Sequence, residues 1–412
     1  MENGFSLSDR NILRTLAGQV AELAADPANG VKKELWKRHN AMRAERPIIM
    51  VNHDDLWDEL WPQPACEDEQ ARAIEAMLQA RIMRHRFVPD DVPIVAEVPV
   101  QKAINNTLWG VKPRYIMPAE AHGARRHSPI IEEPEDWQVL KPPVVTHDER
   151  ESQRRFACVQ DAIGDLLPVK LAGIKRLSAH LLHWYCDFRG LDNLFFDLYD
   201  DPDTVHRVMR FFTDGVKSMW QQYEAQNLIS LNDDATQFYT GGLGYTDELP
   251  ASGFNPDAVR LCDVWGAAEA QEFSSVGPEM HEEFVLQYER ELLEPFGLTG
   301  YGCCDDLSQK LDGVLKINHL RRVAVCPWAD IAQFTPRLQK NYIMTWKPNP
   351  AHMSHGEFNA GVVREELETG LEKARGGNIE LILRDLHTCR GQVERFGWWL
   401  DIARKAIDKV WR

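Results

Sequence analysis

Apolar positions along the chain alternate between two rhythms. In "LSDRNILRTLAGQVAELA" they recur three and four residues apart, the spacing of a helix with one buried face, and the same spacing returns in "NGVKKELWKRHNAMRAE" after a break at Asn29 and Gly30. Ser8 reads as the N-cap of the first helix. Two helices are therefore predicted to open the chain.

From Arg46 onward the rhythm changes to short, nearly continuous apolar runs rich in Val and Ile. Eight are read as strands: "RPIIMVNH" (46–53), "VPIVAEVPV" (92–100), "LPVKLAG" (167–173), "LISLN" (228–232), "GLTGYGC" (297–303), "RRVAVCPW" (321–328), "NYIMTWKPN" (341–349) and "NIELILRDL" (378–386). Runs without polar alternation fit strands covered on both faces, hence a parallel sheet wrapped by helices. Helical patterns lie between them. "DPDTVHRVMRFFTDGVKSMWQQYEAQ" begins with an Asp-Pro start signal, and Pro278 sits near the first turn of "SVGPEMHEEFVLQYERELLEPFG". Eight such units favour a (β/α)₈ barrel over an open doubly wound sheet. Residues 1–45 read as a helical extension and 46–412 as one barrel. The aperiodic stretch near 105–150 is too long for a simple loop and reads as an insertion or cap.

Composition narrows the function classes. With 47 Lys and Arg against 63 Asp and Glu, the net charge of −16 argues against a nucleic-acid surface and against anionic membranes as partners. Eight irregularly spaced cysteines read as reduced thiols. No apolar run approaches the roughly 18 residues of a membrane span, and the start lacks a basic segment followed by an apolar one. The expectation is a soluble cytoplasmic protein.

In a barrel the active site lies where the strands end. Those ends carry His53, Asp54 and Asp55, then Glu97, Lys170, Asp233 and Asp234, then Cys303, Cys304, Asp305 and Asp306. Trp328, Trp346, Lys347, Asp385, His387 and Cys389 complete the rim. Two thiolates with an imidazole or carboxylate form a set that Zn²⁺ prefers, so Cys303 or Cys304 with Cys389 is a candidate zinc site, with His387, Asp305, His53 or Glu97 as third ligand. The same cysteines also suit small buried apolar positions. His53 and Asp54 are candidate acid–base residues, although Asp after a strand is also a common helix cap. "LNDDATQFYTGGLGYTDELP" (231–250) reads as a substrate-contacting loop, with Asp233 as a binding residue and Asp234 and Tyr245 as catalytic candidates. His180 and His183 share a helical face and suit either metal or ordinary packing. Trp328 and Trp346, with Lys347, are candidates for a substrate wall, packing being the alternative for each Trp.

"LYDDPDTVHRVMRFFTDG", "SSVGPEMHEEFVLQYERELLEPFGLTGYGCCDDL" and "NIELILRDLHTCRGQ", with "GGLGYTDELP" and "KPNPA", resemble the uroporphyrinogen decarboxylase superfamily, in its branch related to corrinoid-dependent methyltransferases. The resemblance covers about residue 46 to the end. It implies a (β/α)₈ barrel, a homodimer, and zinc acting as a Lewis acid in methyl transfer to or from a cobalamin on a separate carrier protein. The donor would be a methoxyaromatic or methylamine-type compound. No Arg-rich motif follows "RPIIMVNHDDLW", which removes the grip on a polycarboxylate tetrapyrrole. Cys389 matches the branch's last-strand thiol, whereas its His-x-Cys motif reads Tyr301-Gly302-Cys303-Cys304 here. The resemblance implies metal positions at Cys303, Cys304 and Cys389, with Glu97 or His53 filling the place of the third ligand. Two other readings stay open: a metal-free lyase or decarboxylase using the carboxylates, and a family member that only binds.

Overall fold

A computed structural model describes residues 4–52, 56, 59, 61–117 and 126–411. Both N-terminal helices form, Leu7–Ala24 and Ala28–Asn40. The first is capped two residues earlier than expected, by the Ser6 hydroxyl accepting from the Asp9 N–H, which leaves Ser8 inside the helix.

Thirteen strands follow in chain order. They are β1 Ile48–Val51, β2 Val98–Gln101, β3 Ala103–Asn106, β4 Arg114–Ile116, β5 Arg126–Ser128, β6 Val145–Asp148 and β7 Val169–Ala172. Then come β8 Leu177–Ala179, β9 Trp265–Ala268, β10 Leu298–Tyr301, β11 Leu320–Val325, β12 Ile343–Trp346 and β13 Asn378–Leu383. Seven of them form one sheet in the order β1-β13-β12-β11-β10-β9-β8, and every pairing in it is parallel. The chain thus adds strands steadily in one direction and sets its first strand beside its last. β1, β9, β12 and β13 are buried at every position, as their unalternating composition requires.

The count of eight expected strands needs correction. β2 and β7 pair with each other in a separate parallel ladder. Residues 228–232 make a single bridge, Ile174 to Ile229. The reason is local: Asn232 spends its side-chain amide on the carbonyls of Lys175 and Trp265 and accepts from the Trp265 N–H, so a side chain ties this segment to β9 where a ladder would otherwise run. β8 and β9 were not foreseen, being three and four residues long and built mainly of small residues. Among the described residues β1 and β8 are the two edges of the central sheet, so the ladder is an open one. The stretch read as an insertion contains two small antiparallel ladders, β3 with β6 and β4 with β5.

Helices cover the sheet. The helix Pro202–Ala225 starts, as expected, with Asp201 capping Thr204 and Pro202 in the first turn. A second core lies under the first helix, where Leu13, Ala17 and Val20 meet Ile74, Leu78 and Val159. Trp36 on the second helix packs with Ile48, Met50 and Ile382 beneath the sheet.

Candidate functional site

β10 delivers the two adjacent cysteines. Gly302 turns the chain with φ 95°, and a Cβ there would stand 2.5 Å from Leu307, so the turn needs glycine. Beyond it Cys303 is buried and Cys304 half-buried, their Sγ atoms 3.4 Å apart. Lys347, which follows β12 and is 1% exposed, donates from Nζ to the Cys303 carbonyl at 2.6 Å. Arg384, following β13, bonds Asp385 at 3.0 Å and adds a second positive charge near both sulfurs. Trp328 is exposed and donates from Nε1 to the Cys304 carbonyl at 3.3 Å.

The charges split the pair. Cys304 is held below the ordinary thiol range because it accepts from Cys303 and feels Lys347 and Arg384, which together outweigh its burial. Cys303, as the donor in that contact and buried besides, is pushed up. The surroundings therefore favour the thiolate at Cys304 and keep the proton on Cys303.

Behind the pair lies a carboxyl that sequence reading missed. Glu269, just after β9, is 2% exposed, and burial together with Cys303, Glu272 and Asp305 pushes it up to about 9. It is a neutral acid near pH 7. Tyr239 places its hydroxyl 3.3 Å from Glu269 Oε1 and 3.3 Å from His180 Nδ1. Burial takes His180 down to about 4. A polar residue directly after an apolar strand was the available signal for Glu269, but "WGAA" is too short and too small to read as a strand.

The remaining sequence candidates divide. His53 and Asp54 lie outside the described residues. Cys389 is buried in the main core, its N–H donating to Glu59 Oε2 at 3.2 Å and its sulfur 3.8 Å from Glu59 Oε1; burial and Glu59 push the thiol up to about 11. Glu97 pairs with Lys170 between β2 and β7 and lines a separate groove. Trp346 is a correction: its ring packs against Gly370 in the core, so it cannot wall a substrate site. His183 faces Asp187 and Glu272, as an ordinary paired histidine does.

Asp233, Asp234 and Tyr245 form a second locus. Burial, with Asp234 beside it, raises Asp233. Burial acts on Asp234 too, but its ion pair with Lys175 and the hydrogen bonds from Thr236 hold it low. Tyr245 is buried under Lys33, whose Nζ stands 5.5 Å from the ring centre.

Zinc, which the resemblance implies, can be tested against these positions. Among the described residues no group of three or more His, Cys, Asp or Glu side chains stands close enough to hold a metal. Cys389 is engaged by Glu59 and Glu97 by Lys170, so the four expected ligands do not converge.

No protein-family model matches the chain, and no curated protein matches it. Among solved structures a methyltransferase from Methanosarcina mazei aligns at a TM-score of 0.48 and 8% sequence identity, over 91% of this chain and 98% of that one. Among the described residues no helix is long and apolar enough to cross a membrane.

Proposed function

We propose that the protein is a transferase of the uroporphyrinogen decarboxylase type, built on the (β/α)₈ plan, in which the Cys304 thiolate accepts a methyl group. The observation that carries this reading is the 3.4 Å contact between Cys303 and Cys304 beside Lys347 and Arg384. A thiolate attacks the methyl carbon, the new S–C bond forms as the bond to the donor atom breaks, and the leaving pair stays with the donor. Cys303 holds the thiolate in place through its S–H. Glu269, neutral and buried beside the pair, is the group with a proton for the leaving atom. Trp328, exposed and bonded to the Cys304 carbonyl, is the aromatic beside the thiolate.

The resemblance of the sequence supplies the donor class within this proposal: a methyl–cobalt corrinoid on a carrier protein, or a methoxyaromatic or methylamine-type compound. Zinc belongs to it only with ligands that the described residues do not bring together, and no step here is routed through it.

The test is a methyl donor, methylcobalamin first, incubated with the protein and followed by peptide mass spectrometry. One added methyl on Cys304, absent in Cys304→Ser, is the expected result; Glu269→Gln should slow the reaction with a methoxyaromatic donor, whose leaving oxygen takes a proton, and not with methylcobalamin, whose cobalt leaves with the electron pair. A second reading has its own observation, the opposite shifts of the adjacent Asp233 and Asp234, which suit an acid–base lyase. Turnover that survives Cys304→Ser and is lost in Asp234→Asn would select it.

A further inference from the structure

The groove beside Tyr245 is open to solvent and lined from both edges of the central sheet, by Met50 of β1 on one side and by Lys175 and Arg176 just before β8 on the other. Its charge runs against the molecule. Five cations line it, Lys33, Arg81, Arg84, Lys175 and Arg176, against two carboxylates, Glu97 and Asp234, in a chain whose net charge is −16.

Pairing sorts these cations. Arg84 is bound to Asp90, and Lys175 to Asp234. Glu97, the acid nearest Arg81, is itself paired with Lys170. Arg81 on the helix Glu69–Phe87 donates from Nη2 to the Glu97 carbonyl at 2.8 Å and touches Met77 Sδ at 3.6 Å. Its Nη1 is buried and has no hydrogen-bond partner among the described residues. A buried guanidinium with an unmet N–H is costly unless something accepts from it. Burial lowers its pKa to about 10 even with Glu97 near, as expected of a cation short of counter-charge. Arg176 is exposed and makes no ion pair among the described residues. Met50, Met77, Ile94 and Leu243 give the groove an apolar wall.

We propose that this groove binds a small organic acid, a carboxylate carried on an apolar body, with Arg81 Nη1 as its buried anchor and Arg176 at the rim. The carboxylate supplies the acceptor that Arg81 lacks, and the methionines, Ile94 and Leu243 cover the body. This site does not depend on the thiol chemistry. Its cations come from residues 33 to 176, and binding is read on the resting protein.

Calorimetric titration of the full chain with benzoate tests it, using benzamide as the neutral isostere and inorganic phosphate as the charge without the body. Benzoate binding at least about tenfold tighter than benzamide, and weakened about tenfold or more in Arg81→Met, is expected for a charged hydrogen bond of ordinary strength. Arg81 also anchors the Glu97 carbonyl, so Arg176→Gln provides a second variant that leaves the helix intact; it should weaken benzoate severalfold. Three outcomes would overturn the proposal: no benzoate binding at millimolar concentration, equal binding of benzoate and benzamide, or phosphate bound as tightly as benzoate. Unchanged affinity in Arg176→Gln where Arg81→Met fails to fold would count against it equally. Loss of methyl transfer at Cys304, with benzoate binding intact, would separate the two proposals.

Discussion

The Glu59 carboxylate holds Cys389 by its backbone N–H at 3.2 Å and faces its sulfur at 3.8 Å. A negative charge and burial at that position oppose ionisation of the thiol, whereas Cys304 sits beside two cations and accepts from Cys303. The two sulfurs should therefore differ sharply in reactivity. Under limiting iodoacetamide at neutral pH, peptide mass spectrometry should find Cys304 alkylated first and well before Cys389. Lys347→Met should slow the Cys304 reaction and, by leaving the Cys303 carbonyl unpaired, cost about 1–3 kcal/mol of stability. Equal labelling of Cys304 and Cys389 would refute the electrostatic assignment.

Glu269 provides a pH signature with a defined sign. Its folded pKa is about 9 against an ordinary 4.5, so between those values the folded state binds a proton that the unfolded state has released. Stability contributed at this position is fully present below about 4.5 and falls as pH rises toward about 9. Glu269→Gln keeps the shape and removes the titration. Urea unfolding at pH 8 should show the variant gaining on the wild type by about 1 kcal/mol or more, with the gap closing toward pH 5.

Beneath the sheet, Glu380 on β13 is fully buried and faces Arg322 Nε at 3.6 Å and His39 Nε2 at 3.4 Å. It also accepts from Thr345 at 2.6 Å and from the Gly242 N–H at 3.0 Å. Burial works against the charge, but Arg322 and these donors hold the carboxyl down to about 2. Its contribution is present above about 4.5 and is lost as pH falls toward about 2. Glu380→Ala strands a buried guanidinium and should cost about 3–5 kcal/mol, whereas Glu380→Gln, which keeps the hydrogen bonds, should cost less. Chemical denaturation of both variants checks the order.

Gly370 lies in the helix Ala360–Lys373, where alanine normally favours the helix by about 1 kcal/mol. A Cβ there would stand 2.2 Å from the Trp346 ring. Gly370→Ala should therefore destabilise by about 1–3 kcal/mol, and pairing it with Trp346→Phe should recover part of that loss in thermal unfolding.

Legibility differed by element. Long apolar runs such as "NIELIL" and "RRVAV" were readable because burial on both faces leaves no polar alternation. β8 and β9 were not, because strands of three and four small residues form only when neighbours on either side supply the ladder. Among residues of the candidate site, Cys303, Cys304, Lys347 and Trp328 were visible as strand-end residues. Glu269, Tyr239 and Arg384 were missed, since each matters through what stands beside it. Trp346 was weighed between a substrate wall and packing, and it packs against Gly370; period-two geometry alone does not say which face meets a helix.

The sequence by itself determined a parallel, helix-covered α/β architecture, an excess of acidic residues, and the presence of thiols and carboxylates at strand ends, because these follow from local periodicity and composition. Only the tertiary structure decided which groups meet. It set Lys347 and Arg384 beside Cys304, Glu59 beside Cys389, and left Arg81 short of an acceptor. Such pairings join residues far apart in the chain, and protonation depends on burial and on neighbouring charge, neither of which is written in a local pattern.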